Sequence, residues 1–63
     1  MIASAYQKTD SLIYVVDDRG ISRTVSGKLI GYTSTNLTYS PTQQERIRYI
    51  LDENLHHIRT IYL

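Results

Sequence analysis

An unbroken apolar run, Leu-Ile-Tyr-Val-Val at positions 12–16, is followed at once by Asp-Asp-Arg-Gly. Most of the run is β-branched or aromatic, and such side chains favour a strand over a helix. The run is also too short for a typical buried helix. Asp17 suits the first position of a type I turn, and Gly20 suits the closing position, where φ is positive. Residues 11–26 therefore predict a β-hairpin whose return strand covers residues 21–25.

The turn fixes which side chains share a face of the hairpin. If Asp17 pairs with Ile21, alternation along the strands sorts the side chains onto two faces. The first face is apolar and comprises Ile13, Val15, Ile21 and Val25. The second face comprises Leu12, Tyr14, Val16, Ser22, Thr24 and Ser26. The first strand is therefore apolar on both faces, whereas the second strand is apolar on one face and hydroxylated on the other.

Size and composition limit the class of protein. The chain has 63 residues, which is a single domain (residues 1–63) near the size where one core barely outweighs chain entropy. It has no cysteine, so a reducing compartment is the expected location. The net charge of +1 gives no general attraction to nucleic acid or to an anionic membrane. Because neither a signal peptide nor an apolar run of ~20 residues is present, we expect a cytoplasmic protein without membrane association.

The segments on either side of the hairpin add strands to it. Gly27 is placed as the first central residue of a two-residue loop, which is typical of a type II′ hairpin turn. A third strand after this turn would put Ile30 and Tyr32 on the first face and Leu29 on the second. Residues 1–8 alternate weakly and predict a possible extra strand, paired within the chain or with a neighbouring subunit.

The C-terminal third predicts one long helix. Ser40 is a good N-cap, Pro41 fits the first helical position, and Gln43 completes a capping box. The apolar residues that follow recur at a spacing of three and four, which forms one stripe on a helix. They are Ile47, Ile50, Leu51, Leu55, Ile58, Ile61 and Tyr62. The predicted fold is therefore α+β: a three-stranded antiparallel β-meander, with a possible extra N-terminal strand, packed on one long C-terminal amphipathic helix.

One helix covers only one face of a sheet, so the second face is expected to lie open. Open apolar clusters of this kind mark association surfaces. We expect a homo-oligomer, with a dimer favoured, or a partner-binding surface, and its predicted residues are Leu12, Tyr14, Val16, Leu29 and Tyr49. Arg19 and Arg23 are the expected polar contacts, and Tyr32 is a further candidate aromatic contact. The predicted function is a small non-enzymatic protein–protein interaction module of the phage or bacterial accessory type, which self-associates and binds a partner protein of unknown identity.

Binding of single-stranded nucleic acid is the alternative function. Sheets with exposed aromatic residues can stack unpaired bases, and Arg19, Arg23 and Lys28 lie on or beside the predicted sheet. The nearly neutral net charge and the absence of an RNP-like motif oppose this function.

No catalytic, cofactor-binding or metal site is predicted. Glu53 and His56 have the spacing used in di-metal helical bundles, but such bundles need further carboxylates from other helices. Tyr49, Asp52 and His56 would share an exposed helix face, but no nucleophile–base pair or oxyanion donor accompanies them. His56 and His57 are therefore interpreted as surface residues near a helix C-terminus.

Overall fold

The computed structural model describes all 63 residues and contains seven strands in two antiparallel sheets. The strands are β1 (Ile2–Thr9), β2 (Leu12–Asp17), β3 (Ser22–Ser26), β4 (Lys28–Tyr32), β5 (Asn36–Ser40), β6 (Ile47–Asp52) and β7 (His57–Tyr62). Sheet A has the strand order β1-β2-β3, and sheet B has the order β4-β5-β6-β7. The chain therefore forms two successive meanders that pack on each other.

The predicted hairpin is present as β2 and β3. Its register pairs Val15 with Arg23, which is the pairing that the turn chemistry predicts. The N–H of Asp17 donates to the carbonyl of Ile21 at 3.1 Å, and Gly20 has a φ of +82°. The hairpin and its register are thus confirmed. Ile21, however, precedes β3 and is 47% exposed, so its predicted place on the inward face is wrong.

The possible N-terminal strand is present as β1. It pairs with β2 of the same chain, with Tyr6 opposite Tyr14 and Ser4 opposite Val16. Two register shifts interrupt this ladder, one near each end of β1. The strand therefore belongs to sheet A and completes it.

The predicted third strand of the meander is wrong, because β4 pairs with β5 instead of β3. Gly27 carries the chain from sheet A to sheet B with a φ of +144°. A Cβ atom at Gly27 would lie 2.5 Å from the carbonyl oxygen of Ser40, so only glycine allows the two backbone segments to approach this closely. Leu29 consequently pairs with Tyr39 in sheet B, and Tyr32 lies exposed at the end of β4.

The predicted C-terminal helix is also wrong, and with it the α+β fold class, because the protein contains only strands. Residues 47–52 and 57–62 form β6 and β7, which pair antiparallel. Both strands are rich in isoleucine and tyrosine, whose branched or aromatic side chains fit a pleated sheet. Both strands also carry apolar residues on their two faces, and the combined spacing imitates a helical stripe. The fold class is all-β.

The predicted helix start at Ser40 is a local turn. The Oγ atom of Ser40 donates to the carbonyl of Thr42 at 2.8 Å and accepts the N–H of Thr42 at 3.4 Å. A serine side chain that bonds the backbone two residues further on offers the chain an alternative to a helix. The polar chemistry that suggested an N-cap is therefore real, but it closes the loop between β5 and β6.

The hydrophobic core lies between the two sheets. Its buried residues are Ile2, Ile13 and Val15 from sheet A and Leu37 and Leu51 from sheet B. Gln7 connects the sheets where the chain crosses between them. Its Oε1 atom accepts the N–H of Leu29 at 2.7 Å, and its Nε2 atom donates to the carbonyl of Gly27 at 2.9 Å. One side chain on β1 thus bonds the backbone at the start of sheet B.

Sheet A and the last three strands of sheet B repeat one pattern. In each, two tyrosines and a threonine form a row across neighbouring strands: Tyr6, Tyr14 and Thr24 in sheet A, and Tyr39, Tyr49 and Thr60 in sheet B. An aspartate, Asp17 or Asp52, ends the middle strand three residues after its tyrosine. In sheet B the row shares a face with the buried Leu37 and Leu51, whereas in sheet A it alternates with buried residues and faces away from the core. The same sequence pattern therefore faces the core in sheet B and faces away from the core in sheet A.

Candidate functional site

The candidate site is the face of sheet A that points away from the core, which we name the outer face. Residues directly opposite each other in an antiparallel sheet share a face. The register therefore assigns to the outer face Ser4, Tyr6, Thr9, Leu12, Tyr14, Val16, Ser22, Thr24 and Ser26. Ile13 and Val15, which alternate with them along β2, are buried on the other side. The alternation of β2 thus sends one set of apolar side chains into the core and leaves another set outside.

Two tyrosines and a lysine form the centre of the outer face. The rings of Tyr6 and Tyr14 are 5.6 Å apart between centroids and tilted by 53°. The Nζ atom of Lys8 lies 5.1 Å from the centroid of the Tyr14 ring, a distance that allows a cation–π interaction. Tyr6 is 47% exposed, and Tyr14 is partly buried beneath its neighbours. The outer face is therefore aromatic at its centre, hydroxylated around it and free of acidic residues.

The predicted interface residues do not all come together. Leu12, Tyr14 and Val16 lie on the outer face, and each is partly buried. Leu29 belongs to sheet B and packs against the core. Tyr49 also belongs to sheet B. The outer face thus contains three of the five predicted residues, and it gains Tyr6 and Lys8 from β1.

Tyr49 lies in an aromatic cluster of sheet B. Its ring is 5.6 Å from the ring of Tyr39 and 5.2 Å from that of His57, both in edge-on geometry. Burial, with Tyr49 beside it, raises the pKa of the Tyr39 phenol above its usual value. The Nε2 atom of His57 is 2.7 Å from the hydroxyl oxygen of Thr60. These contacts tie the side chain of Tyr49 to its own sheet.

Arg19 and Arg23, the predicted polar contacts, are bonded within the chain. An Nη2 atom of Arg19 lies 3.3 Å from a carboxylate oxygen of Asp17. An Nη1 atom of Arg23 donates to the backbone carbonyl of Asn54 at 3.2 Å. Arg23, on β3 next to the turn of the first hairpin, therefore contacts the turn between β6 and β7. Neither arginine lies on the outer face.

A cleft lies where these two turns meet. Its volume is about 30 Å³, which is room for about one water molecule. Two of the charged groups around it are already paired with each other, since Arg19 bonds Asp17. The cleft is too small to hold a substrate.

The two aspartates of the turns are structural groups. The backbone N–H of Ile21 lowers the pKa of Asp17, and the backbone N–H and guanidinium of Arg19 add to this effect against partial desolvation. The backbone N–H of His56, followed by that of Asn54, lowers the pKa of Asp52 in the same way. Both carboxylates are therefore ionised acceptors at neutral pH, and neither is set up as a general acid.

The residues that could resemble a catalytic or metal site are arranged differently. A carboxylate oxygen of Asp52 lies 3.9 Å from the Nδ1 atom of His56. Tyr49, however, is three positions before Asp52 on β6 and therefore points to the opposite face of that strand. No three histidine, aspartate or glutamate side chains come together as metal ligands would. The structure contains no helix that could cross a membrane.

Sequence reasoning missed two features of the surface. Tyr6 and Lys8 join the outer face because β1 pairs with β2, and the weak alternation of residues 1–8 was the available signal. The second feature is an open groove of about 480 Å³ across β5, β6 and β7, lined by Thr38, Ile50 and Arg59 among others. That groove depends on a pairing of β6 with β7 that a helical interpretation excludes. Comparisons with protein families, with curated proteins and with solved structures give no match.

Proposed function

We propose that this chain is a non-enzymatic, cytoplasmic protein-interaction module that binds a partner protein through the outer face of sheet A. The observation that supports this proposal is the position of Tyr6, Leu12, Tyr14 and Val16 on the sheet face that points away from the core. Tyrosine is favoured at interfaces because it offers a large, rigid apolar surface and a polar tip.

The chemistry of the outer face indicates the kind of partner. Lys8 supplies a positive charge beside the Tyr14 ring, and the residues of the face include no carboxylate. The serine and threonine hydroxyls around the tyrosines offer hydrogen bonds at the rim. The proposed partner surface is therefore apolar, with an acidic group that meets Lys8, because complementary charge guides encounter and orientation.

Single-stranded nucleic acid is the second candidate ligand. The half-exposed ring of Tyr6, with Tyr14 and Lys8 beside it, is a small stacking platform with an adjacent cation. The same face would then bind bases on its tyrosines and phosphates on its lysine. The salt dependence of the affinity distinguishes the two candidate ligands, since phosphate contacts make the affinity for nucleic acid fall steeply as the salt concentration rises.

A capture experiment with matched variants tests the proposal. The immobilised chain is exposed to a lysate of its source organism as wild type, as Tyr14→Glu and as Tyr32→Glu. Tyr32 is an exposed tyrosine outside the outer face, so Tyr32→Glu adds the same charge elsewhere. We expect one protein to be retained by wild type and by Tyr32→Glu and to be lost from Tyr14→Glu.

The captured protein is then purified and its affinity measured. A dissociation constant at least about tenfold weaker for Tyr14→Glu, corresponding to ~1.4 kcal/mol, supports the outer face as the binding site. Equal affinity of the two variants, or retention of no protein, contradicts the proposal. Binding of mixed oligonucleotides that disappears at high salt and with Tyr14→Glu identifies nucleic acid as the ligand of this face instead.

A further inference from the structure

We infer that the free edge of β7 pairs with β7 of a second copy of this chain, so that two B sheets join into one continuous antiparallel sheet. This surface is separate from the outer face of sheet A, and its partner is this chain itself. β7 is the last strand of sheet B and has a neighbour on one side only, β6. The other side of β7 therefore presents backbone groups with no strand to bond.

The composition of β7 suits pairing. Natural edge strands avoid association through lysines, prolines, bulges or short length. The regular part of β7 contains neither lysine nor proline, and its one register shift lies near the turn, at the His57 end. Its end is also apolar and open, with Tyr62 76% and Leu63 70% exposed. β3, one of the two edge strands of sheet A, instead carries serine, arginine and threonine.

The hydrogen bonds of β6 and β7 identify the free groups. The N–H of Leu63 donates to the carbonyl of Arg46 at 2.8 Å, so Leu63 directs its backbone groups toward β6. Backbone direction alternates along an antiparallel strand. Ile61 therefore also directs its N–H and carbonyl toward β6, and Thr60 and Tyr62 direct theirs outward. These are the groups that a second copy would bond.

A two-fold register centred on Ile61 satisfies all of these groups. With Ile61 opposite Ile61 of the second copy, Thr60 lies opposite Tyr62 of that copy, and each pair exchanges two backbone hydrogen bonds. Arg59 then lies opposite Leu63, so no like charges face each other. A register centred on Arg59 would place two guanidinium groups in contact, which is unfavourable across a sheet. The arrangement centred on Ile61 is the one that we propose.

The sequence repeat supplies a matched pair of variants. Thr60 and Thr24 are equivalent in the two repeats, and both lie on edge strands. Both also direct their N–H outward, since the Asp17–Ile21 bond sets the same alternation in the first hairpin. Proline removes an N–H, and on the open side of an edge strand it breaks no bond within the chain. Thr60→Pro therefore removes a bond of the proposed dimer, whereas Thr24→Pro makes the same change at the other edge.

Molar mass in solution, measured by size-exclusion chromatography with light scattering, gives the first test. We expect wild type and Thr24→Pro to reach the mass of a dimer as concentration rises. The dimer dissociation constant of Thr60→Pro should be weaker by about tenfold or more, since two ladder bonds are lost per dimer. A monomer mass for wild type at every concentration, or an unchanged dimer for Thr60→Pro, overturns the inference.

A second measurement does not depend on any variant. In a mixture of isotope-labelled and unlabelled wild-type chains, the proposed register brings the Hα atoms of the two Ile61 residues into close contact. An intermolecular Hα–Hα NOE at Ile61 is the expected result. A dimer that lacks this NOE associates in another register or through another surface and contradicts the inference. The capture of a partner by the outer face is unaffected by either outcome.

Discussion

Asp17 and Asp52 hold the same position in two hairpins of one chain, and each carboxylate accepts two backbone N–H groups of the turn that follows it. For Asp17 the donors are Arg19 and Ile21, both at 2.9 Å. For Asp52 they are Asn54 at 2.8 Å and His56 at 2.9 Å. The fourth residue of each turn has a positive φ, which is +82° at Gly20 and +64° at Leu55. The two turns therefore use one hydrogen-bond pattern, although only one of them has glycine.

The first prediction concerns acid stability. The native pKa values of Asp17 and Asp52 lie below the usual value of 3.8, so the native state binds these protons less readily than the unfolded chain. Their contribution is complete above the unfolded pKa and is lost as pH falls through the lowered native pKa. The melting temperature of wild type should therefore fall between about pH 5 and pH 2. Circular dichroism melts across this range measure it.

Asparagine variants separate the two turn aspartates from the other acids. The double variant Asp17→Asn/Asp52→Asn keeps an oxygen acceptor in each turn but removes the ionisable group. Its melting temperature should therefore fall less on acidification than that of wild type. Glu53→Gln removes a neighbouring exposed carboxylate and should behave as wild type. An equal fall in all three proteins would show that other groups cause the acid sensitivity.

The second prediction concerns Gly20. A Cβ atom at Gly20 would meet no atom within 4 Å, so the cost of Gly20→Ala comes from the positive φ alone. That cost is about 1–2 kcal/mol of unfolding free energy. Gly31→Ala is the control, because Gly31 also has open space around its Cβ position and has no positive φ. Urea denaturation of both variants measures the difference, and equal stabilities would contradict the turn geometry.

The third prediction concerns Gly27. Its added Cβ would lie 2.5 Å from the carbonyl oxygen of Ser40 and 2.8 Å from the Tyr39 ring. The backbone of β5 cannot move away without breaking its ladder, so Gly27→Ala should cost about 3 kcal/mol or more and leave little folded protein. Amide NMR spectra report the folded fraction. A well-dispersed, stable Gly27→Ala spectrum would show that the sheets do not cross at this residue.

The fourth prediction concerns Gln7. Gln7→Ala removes the bonds to Leu29 and Gly27 that connect the two sheets, and it should cost about 1–3 kcal/mol because backbone groups lose their partners. Gln7→Glu keeps an acceptor for the N–H of Leu29, but it replaces the amide donor, which faces carbonyl oxygens, with a negatively charged oxygen. Gln7→Glu should therefore lower the free energy of unfolding at least as much as Gln7→Ala. Gln44→Ala, at an exposed position, is the control. If urea denaturation finds Gln7→Ala as stable as Gln44→Ala, the proposed role of Gln7 in connecting the two sheets is wrong.

The local parts of the fold are readable from the sequence, and the non-local parts are not. Turn chemistry at Asp17 and Gly20 specifies the first hairpin, because the relevant bonds join residues at most four positions apart. The exit of the chain into sheet B depends on the contact of Gly27 with Ser40, which no local pattern reveals. The sequence of β6 and β7 predicts a helix wrongly, because apolar residues on both faces of a strand resemble a helical stripe.

The candidate site divides in the same way. Leu12, Tyr14 and Val16 follow from simple alternation along one strand, and the structure places all three on one face. The addition of Tyr6 requires the pairing of β1 with β2 across two register shifts. The separation of Leu29 and Tyr49 from this face requires knowing that the sheet is split in two. Residue spacing along the chain predicts the alternation within one strand, but not the pairing between strands.

The most direct measurement of the central claim is an amide chemical-shift map of the ¹⁵N-labelled chain as its captured protein partner is added. If the outer face binds the partner, the largest shifts will occur at Tyr6, Tyr14 and Thr24, and the amides of Thr38, Ile50 and Arg59 across the groove of sheet B will change little. Shifts concentrated in that groove, with the amides of the outer face unmoved, would contradict the account.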